Sequence, residues 1–350
     1  DQTLTLTTNR PKPVIHKPSE VMVRVWASSV NPIDVAMSVG YGRGVLDVLQ
    51  LATDVGVDQM THDRLPLILG RDFCGEIYRC GHGVRHYRVG QWVYGSLPPF
   101  WRTGSHCEFI VADESHLCEK PSNISTVESA AIPYVGLTAW SALQTIGGLN
   151  DRNSYNKRAL VLGGTGGVGN IAIQLLKSWG AHVTTTCSPD AMQFVMSHTG
   201  ADECVDYTND NEMTETLSSG SFDFVLNAAS AAAALDESIQ SVAKWKAGAK
   251  YVTLTTPLLA NTDRYGVLFG TGLSALTAIK QTIDGCSQGY SSRWAYYWAN
   301  PGALREITRA VQSNQIKPIV ERVYAFNEIP DAYGRVARGH CRGKAVVELT

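Results

Sequence analysis

The sequence lacks several features that would assign the protein to a particular class. Lys and Arg total 30 residues against 32 Asp and Glu, so there is no basic excess of the kind that binds nucleic acid or anionic membranes. No run approaches the roughly 18 consecutive apolar residues of a membrane-spanning helix. The eight cysteines include no Cys-x-x-Cys pair and lie largely within apolar runs, as is typical of reduced thiols in an intracellular compartment. There is no internal repeat or low-complexity segment.

Length and local pattern indicate two domains. The 350 residues exceed one ordinary domain, and 44% hydrophobic with 18% charged residues is typical of a globular protein. Short strand-like runs separated by Gly and Pro fill the first third of the chain, which favours a mostly β domain. From about Ser125 strands alternate with helices, which favours a parallel sheet covered on both faces. The predicted domains are residues 1–124 with 301–350, and residues 125–300.

The stretch GGTGGVGN, residues 163–170, has the pattern of a dinucleotide-binding turn. Gly164, Gly166 and Gly169 follow an apolar strand and begin a helix, and in this setting the spacing predicts dinucleotide binding. The first glycine allows a tight bend, the second lets the main chain touch a pyrophosphate, and the third lets helix and strand pack closely. The helix N-terminus then offers N–H groups and a positive dipole to the phosphates. A glycine-rich connection without a ligand is the alternative.

The next strand ends without the acidic residue that NAD-binding proteins normally carry about 20 residues after this turn. Cys187 and Ser188 stand there instead, so no carboxylate at these positions repels the 2′-phosphate of NADP. We therefore predict NADPH as the cofactor, with the Ser188 hydroxyl donating to the phosphate. Asp190 is the objection, but Ser188, Pro189 and Asp190 also have the order of a helix cap, first residue and first turn. Ser188 is then a cap, a phosphate ligand, or both.

Longer segments carry a family resemblance across nearly the whole chain. The segments are SSVNPIDVAMSVGYG, LPLILGRDFCGEI, AAIPYVGLTAWSAL, GGTGGVGNIAIQLLK, GADECVDY and RGHCRGKAVVEL. Together they resemble the zinc-free quinone oxidoreductase branch of the medium-chain dehydrogenase/reductases. The resemblance implies an α/β protein with a GroES-like, mostly β catalytic domain and a Rossmann domain with a doubly wound parallel sheet. The active-site cleft is expected between them.

The resemblance also bears on metal binding. Zinc-dependent relatives hold their catalytic ion with an early Cys, a His in a Gly-His-Glu turn, and a later Cys or acid. Asn31 occupies the first of these positions, and Arg71 with Asp72 replaces the His-Glu of the turn. The segment from Gly90 to Cys107 also lacks the four closely spaced cysteines of a structural zinc site. We therefore expect no metal.

The resemblance implies further cofactor contacts. Thr165, Gly167 and Val168 are expected at the pyrophosphate, and Tyr207 at the adenosine end. The other expected contacts are Asn227 and Ala228 beneath adenine and ribose, Trp294, Ala295 and Tyr297 on the nicotinamide side, and His340, Cys341 and Arg342 closing over the cofactor. Relatives often carry Asp-Asn-Val-Gly where this chain has Asn-Ala-Ala-Ser, and the aromatic cluster at 293–298 is otherwise typical of a core or a dimer surface.

Without a metal, the acceptor needs a neutral hydrogen-bond donor. Hydride transfer to a quinone or an α,β-unsaturated carbonyl leaves negative charge on an oxygen, which a donor stabilises. Asn31 and Tyr41 are suitable and lie in the segment that resembles the family's substrate-facing loop. An Asn before Pro is also a common turn or cap residue, and a Tyr between two glycines is also a common exposed loop aromatic. We predict both as catalytic residues.

Residues 42–64 are longer than a plain connection and partly helical in pattern. Because they follow the predicted substrate loop directly, a lid over the pocket is one interpretation. A helix packed on the β domain is the other.

Two classes of function remain open. The first is an NADPH-dependent reductase of quinones or enones; mitochondrial members of the branch imply a mitochondrial role that supports coenzyme Q biosynthesis. Enoyl-thioester reduction is the alternative within this class. The second is an NADPH-binding protein with little turnover that acts through a protein partner. The reticulon interaction for which those members are named implies a reticulon-type partner, and pairing of Rossmann sheet edges favours a homodimer.

Overall fold

The computed structural model describes residues 4–53, 67–101, 103–219, 221–229 and 243–349. Within them the chain forms two β-sheets with helices packed around both. The strands are β1 (Glu20–Val30), β2 (Asp72–Cys80), β3 (Trp92–Ser96), β4 (Phe109–Asp113), β5 (Leu117–Glu119), β6 (Arg158–Leu162), β7 (His182–Cys187), β8 (Glu203–Asp206), β9 (Ser221–Asn227), β10 (Lys244–Thr253), β11 (Tyr290–Trp294), β12 (Val320–Ala325) and β13 (Lys344–Glu348).

The α-helices of the described residues connect these strands. They are α1 (Pro32–Ser38), α2 (Arg43–Thr53), α3 (Thr126–Ala130), α4 (Pro133–Trp140), α5 (Gly167–Ser178), α6 (Met192–Thr199), α7 (Asp210–Ser219), α8 (Leu258–Tyr265), α9 (Val267–Ser287), α10 (Pro301–Gln312) and α11 (Ile329–Ala337). A π-helical segment, Ser141–Ile146, continues α4. In the described part of the chain, no helix has both the length and the apolarity to cross a membrane.

The first sheet has seven strands in the order β12-β13-β1-β2-β3-β5, with β4 also paired to β1. All pairings are antiparallel except that of β12 with β13. Because β1 lies in the middle, its apolar residues Val21, Val23 and Val25 are buried. The two strands of the tail join this sheet beside β1. The domain boundaries at 124/125 and 300/301 stay predictions.

The second sheet has six strands in the order β11-β10-β9-β6-β7-β8, and every pairing is parallel. This is the doubly wound Rossmann arrangement, so the predicted fold class is confirmed. Parallel strands place their carboxyl ends at one edge. The strand order reverses between β6 and β9, and sheets of this kind bind their ligands at that point.

Helices α4 and α10 fill the space between the sheets. One hydrophobic cluster contains buried residues of both helices and of both sheets, including Tyr94 of β3 and Leu226 of β9. The Tyr94 hydroxyl is hydrogen-bonded to Thr308 Oγ1 of α10 at 2.8 Å. The two sheets therefore share a continuous core.

Candidate functional site

The glycine turn follows β6 at the edge where the strands end. Gly163 has a φ of +83°, so it is the residue in the left-handed region, rather than Gly164 as the spacing suggests. A Cβ on Gly164 would lie 2.3 Å from Thr185 Oγ1, and one on Gly169 would lie 2.1 Å from the Gly163 carbonyl oxygen. Close packing therefore requires glycine at these positions. A Cβ on Gly166 would meet nothing closer than 3.6 Å, so this glycine faces open space.

Helix α5 begins directly after this open position. Gly166 is its N-cap residue, and the N–H groups of Gly167, Val168 and Gly169 are at positions that have no carbonyl partner within a helix. Residues 165–168 are partly exposed. Open space beside a helix N-terminus fits the pyrophosphate of a dinucleotide, because backbone N–H groups and the dipole both favour an anion there.

The terminal motif lies against the glycine turn. The Gly343 N–H donates to the Thr165 carbonyl at 3.0 Å, and Gly343 forms an isolated parallel bridge with Gly166. His340 and Arg342, and the partly buried Cys341 between them, are therefore held beside the predicted phosphate site.

The ends of β7 and β8 form a polar cluster with this motif. Arg342 pairs with the Asp190 carboxylate, and the Ser188 hydroxyl donates to the same carboxylate at 2.5 Å. The Tyr207 hydroxyl lies 3.5 Å from His340 Nδ1. Ser188, Pro189 and Asp190 are the N-cap residue, the first residue and part of the first turn of a short 3-10 helix, as predicted, but the Ser188 side chain makes no capping hydrogen bond. The hydroxyl is turned towards Asp190 instead.

Asn227 and Ala228 end strand β9 beside the turn. The Asn227 side chain is buried; its Nδ2 donates to the Tyr251 hydroxyl at 3.2 Å, and its Oδ1 accepts from the Ala229 N–H at 3.1 Å. Ala228 is partly exposed and donates its N–H to the Leu162 carbonyl. The Asn227 side chain thus holds the strand end in shape, and Ala228 is the member of the pair nearer to solvent.

The three residues predicted for the nicotinamide side lie at the end of strand β11, which Trp294 ends and Ala295 and Tyr297 follow. Trp294 Nε1 donates to Gln281 Oε1 of α9 at 2.8 Å, and the buried Ala295 donates its N–H to the Thr253 carbonyl. Tyr297 reaches the first sheet, since its hydroxyl accepts from Ser96 Oγ at 2.9 Å. Its ring stacks on Tyr134 of α4 at 4.5 Å between centroids. Of the three, Tyr297 lies at the junction of the two sheets.

Asn31 belongs to a buried polar network. Its side chain has no exposed surface; Nδ2 donates to Asp72 Oδ2 at 2.8 Å, and Oδ1 accepts from Lys344 Nζ. Lys344 Nζ also lies 3.5 Å from Asp72 Oδ2, and the Tyr134 N–H donates to Asp72 Oδ1 at 2.6 Å. The amide that was predicted to donate to a substrate oxygen is therefore committed within the protein. This geometry assigns Asn31 to positioning rather than to acceptor binding.

Arg71 and Asp34 form a second buried pair beside this network. Arg71 Nε lies 3.5 Å from Asp34 Oδ1, and both side chains are fully buried. The Arg71 guanidinium also donates to the carbonyls of Pro98 and Trp101 at 3.0 and 3.1 Å. Among the described residues, no three His, Cys, Asp or Glu side chains are grouped in a way that could hold a metal ion.

Burial governs the acid–base behaviour of these groups. It raises the pKa of the Asp72 carboxyl, against the opposing effect of Lys344, and it lowers the pKa of Lys344, against the opposing effect of Asp72. Burial, followed by the charges of Arg71 and Lys344, lowers the pKa of the nearby His106 to about 3. His106 is therefore uncharged at physiological pH.

Tyr41 lies in a loop between Gly40 and Gly42, which have φ values of +87° and +82°. The Asp263 carboxylate of α8 accepts from the N–H groups of Gly42 and Gly44 at 2.5 and 3.1 Å, which fixes the loop to the Rossmann half. Burial, with Asp263 and Tyr296, raises the pKa of the Tyr41 hydroxyl. Among the described residues this hydroxyl has no hydrogen-bond partner, so it remains available as a donor.

The segment predicted as a lid begins with α2. This helix packs against α8 and buries Leu46. Residues 54–64 of the predicted segment lie outside the described residues. The described residues of this segment form a packed helix, as in the second interpretation. The helix packs on the Rossmann half of the protein, whereas that interpretation placed it on the β domain.

Two features of the site were not predicted from the sequence: the buried Lys344 and the pairing of Asp190 with Arg342. A lysine inside RGHCRGK has the appearance of a solvated basic turn, yet Lys344 is only 5% exposed. The signal that could have found it is its place at the start of an apolar strand, where a charged residue is buried together with a partner.

Comparison with known proteins adds the family. Residues 17–146 match the family described as "Alcohol dehydrogenase GroES-like domain", and residues 199–347 match the one described as "Zinc-binding dehydrogenase". The chain is 40% identical over 349 residues to the mitochondrial NAD(P)H oxidoreductase RTN4IP1 of Bos taurus, covering 100% of this chain and 86% of the relative. It is 35% identical over 340 residues to the mitochondrial Reticulon-4-interacting protein 1 of Caenorhabditis elegans, covering 97% and 90%.

Solved structures show the same fold. The quinone oxidoreductase from Coxiella burnetii has a TM-score of 0.75 and 23% identity, covering 97% of this chain and 93% of that one. The two relatives are both named as mitochondrial proteins, and their identity and coverage place this chain in the same compartment. The chain therefore belongs to the mitochondrial NAD(P)H oxidoreductases of the medium-chain dehydrogenase/reductase superfamily.

Proposed function

We propose that this oxidoreductase uses NADPH to reduce a quinone or an α,β-unsaturated carbonyl without a metal. The observation that carries the proposal is the half-buried Tyr41 hydroxyl, which has no hydrogen-bond partner among the described residues. Asp263 of the Rossmann half fixes the loop beside it through the N–H groups of Gly42 and Gly44. When bound, the cofactor supplies the hydride. Tyr41 donates a hydrogen bond to the oxygen on which negative charge develops. The raised pKa of its hydroxyl keeps it protonated for this role.

The metal positions support the same proposal. Where zinc-dependent relatives place ligands, this chain has Asn31 hydrogen-bonded to Lys344 and Asp72, and Arg71 paired with Asp34. The two buried carboxylates here, Asp34 and Asp72, are already paired with Arg71 and Lys344, so neither is left unpaired to bind a divalent ion. Stabilisation of the developing oxyanion then falls to neutral donors.

The preference for NADPH rests on Arg342. The sequence showed no basic residue near Ser188, but the fold brings this guanidinium to Asp190, 152 residues away in the chain and just beyond the end of β7. Arginine recognises phosphate through several N–H groups at once. Arg342 and the Ser188 hydroxyl both donate to the Asp190 carboxylate. A 2′-phosphate that displaces this carboxylate accepts hydrogen bonds from both groups.

The cellular role and partners are proposed from the relatives. The resemblance suggests support of coenzyme Q biosynthesis in mitochondria, and the name of the Caenorhabditis elegans relative suggests a reticulon-type partner. A homodimer is supported by two neighbouring features. Strand β11 is the outer strand of the Rossmann sheet, and the adjoining helix α9 exposes Leu268, Phe269 and Leu276 by 87%, 81% and 64%.

The acceptor is tested by turnover. NADPH oxidation is measured with a panel of short-chain quinones, enones and enoyl thioesters, and quinones or enones are expected to be reduced. Tyr41→Phe should lower kcat by roughly 10- to 1000-fold, as for loss of one oxyanion donor, and leave NADPH affinity unchanged. Tyr155→Phe, at an exposed tyrosine, is the control. Equal kcat in Tyr41→Phe would exclude this role, and binding without turnover of any acceptor would favour a binding protein.

The glycine turn is tested by a matched pair of variants. Gly166→Ala places a methyl group in open space, so the melting temperature should be unchanged while NADPH affinity falls roughly tenfold or more through loss of backbone contacts to phosphate. Gly169→Ala drives a methyl group against the Gly163 carbonyl, so the melting temperature itself should fall. Full NADPH affinity in Gly166→Ala would place the pyrophosphate elsewhere.

Cofactor preference is tested by calorimetry with NADPH and NADH. The unmodified protein should bind NADPH more tightly, and Arg342→Gln should weaken NADPH binding roughly 10- to 150-fold, the value of a charged hydrogen bond of about 1.5–3 kcal/mol, with NADH affected little. Ser188→Asp should reduce or reverse the ratio of NADPH affinity to NADH affinity, because the new carboxylate repels the 2′-phosphate by on the order of 1–4 kcal/mol. Arg338→Gln, at an exposed arginine of the same motif, is the control. Equal affinities in the unmodified protein would refute the preference.

The homodimer is tested by light scattering at micromolar concentration. The unmodified protein should have twice the mass of the chain, and Leu276→Glu should reduce it to one chain because a charge interrupts the apolar face of α9. Val48→Glu on α2 places the same charge on another exposed helix and should leave the dimer intact. A monomeric mass for the unmodified protein would rule out the homodimer.

A further inference from the structure

Two cysteines are in contact beneath the adenosine end of the cofactor site. Cys187 ends strand β7 and Cys204 lies in the neighbouring strand β8, with their Sγ atoms 3.0 Å apart. Cys187 is 2% exposed, whereas Cys204 is partly exposed on the outer strand of the sheet. Both are free thiols. The residue after Cys187 is Ser188, so this pair adjoins the group that the proposed function assigns to the 2′-phosphate.

We propose that Cys187 and Cys204 are an oxidisable dithiol whose disulfide weakens NADPH binding. The consequence for NADPH rests on the proposed cofactor site, whereas formation of the disulfide does not. The oxidant is a hydroperoxide.

The order of the reaction follows from burial and hydrogen bonding. The contact between the two sulfur atoms, either of which can donate, lowers the pKa of Cys204 and raises that of Cys187. Cys204 is also the more exposed of the two, and a thiolate that is both stabilised and accessible is the one that attacks peroxides.

The chemistry balances as a two-electron oxidation. The Cys204 thiolate attacks one peroxide oxygen, the O–O bond breaks, and an alcohol leaves after taking a proton, which gives a sulfenic acid on Cys204. The Cys187 sulfur then attacks Cys204 Sγ, the S–O bond breaks, and hydroxide leaves as water with the Cys187 proton. Two thiols and one hydroperoxide become one disulfide, one alcohol and one water.

The strand register explains why this bond would disturb the cofactor site. Cys204 pairs with Thr185, two residues before Cys187, so the thiols meet diagonally across the strands. Diagonal neighbours in a sheet are about 7–8 Å apart between Cα atoms, slightly beyond the usual disulfide span of about 4.4–6.8 Å. Closing the bond must draw the strand ends together. These ends carry Ser188 and Tyr207, and the Tyr207 N–H donates to the Cys187 carbonyl at 3.3 Å.

The test treats the full chain with tert-butyl hydroperoxide and follows two readouts. Peptide mass spectrometry should find a peptide containing Cys187 joined to one containing Cys204, with the loss of two hydrogens, reversed by dithiothreitol. Fluorescence titration should find NADPH affinity about tenfold weaker in the oxidised protein, within the usual range of coupling between two sites. By linkage, bound NADPH should raise the midpoint potential of the pair by about 30 mV for that tenfold change, because it stabilises the reduced form.

Matched variants separate this pair from the other thiols. Cys204→Ser and Cys204→Ala should bind NADPH as the unmodified protein does, and the peroxide should no longer weaken this binding. In Cys286→Ser, at an exposed cysteine of α9, the peroxide should still weaken NADPH binding. Oxidation of other cysteines without the 187–204 disulfide would overturn the proposal, as would the disulfide with unchanged NADPH affinity. If the reduced protein binds NADPH no more tightly than NADH, the proposed function is contradicted instead. The proposal for the dithiol is then tested by whether oxidation weakens NADH binding.

Discussion

The buried ion pair between Lys344 and Asp72 is the interaction on which the arrangement of the site depends. Asp72 begins β2 and Lys344 begins β13, so the pair ties together two strands that are far apart in the chain. Asp72 also accepts from the Tyr134 N–H in the first turn of α4, where the helix dipole favours a carboxylate. On the other side, a Cβ on Gly167 would lie 3.0 Å from Lys344 Cδ. One lysine therefore connects the β-rich half to the start of α5, where the cofactor is proposed to bind.

Such a pair is costly to bury and more costly to break. Removing one partner of a buried ion pair typically destabilises a protein by about 3–5 kcal/mol, because the other charge is left without compensation. Here the cost of burial is offset by hydrogen bonds from Ser29 and Asn31 to Asp72 and from Lys344 to Val30. These groups engage both ends of the Asn31 side-chain amide, which has no exposed surface. The network therefore keeps this amide away from a substrate and leaves Tyr41 as the predicted donor.

Local patterns predicted the parts of the fold and site that depend on neighbouring residues. The glycine turn, the alternation of strands with helices and the resulting Rossmann sheet all follow from spacing within about ten residues. Contacts across the fold were not predictable in this way. The contact between Asn31 and Lys344 joins residues 313 positions apart, and it exists because the register of β1 with β13 pairs Val30 with Ala345. Register is a property of the assembled sheet. The sequence alone therefore identifies Asn31 as a possible donor but does not reveal that Lys344 contacts it.

The adenosine end shows how such a distant contact changes the interpretation of a local one. Asp190 was an objection to NADPH when it was considered alone, since a carboxylate repels phosphate. Paired with Arg342 it becomes the group that holds the guanidinium beside Ser188. The Asp190 side chain is 70% exposed, so water replaces its hydrogen bonds when it is displaced, and exposed pairs of this kind contribute little to stability. A phosphate that makes several hydrogen bonds to Arg342 outweighs such a pair, so the acid that was an objection to NADPH is compatible with the proposed site.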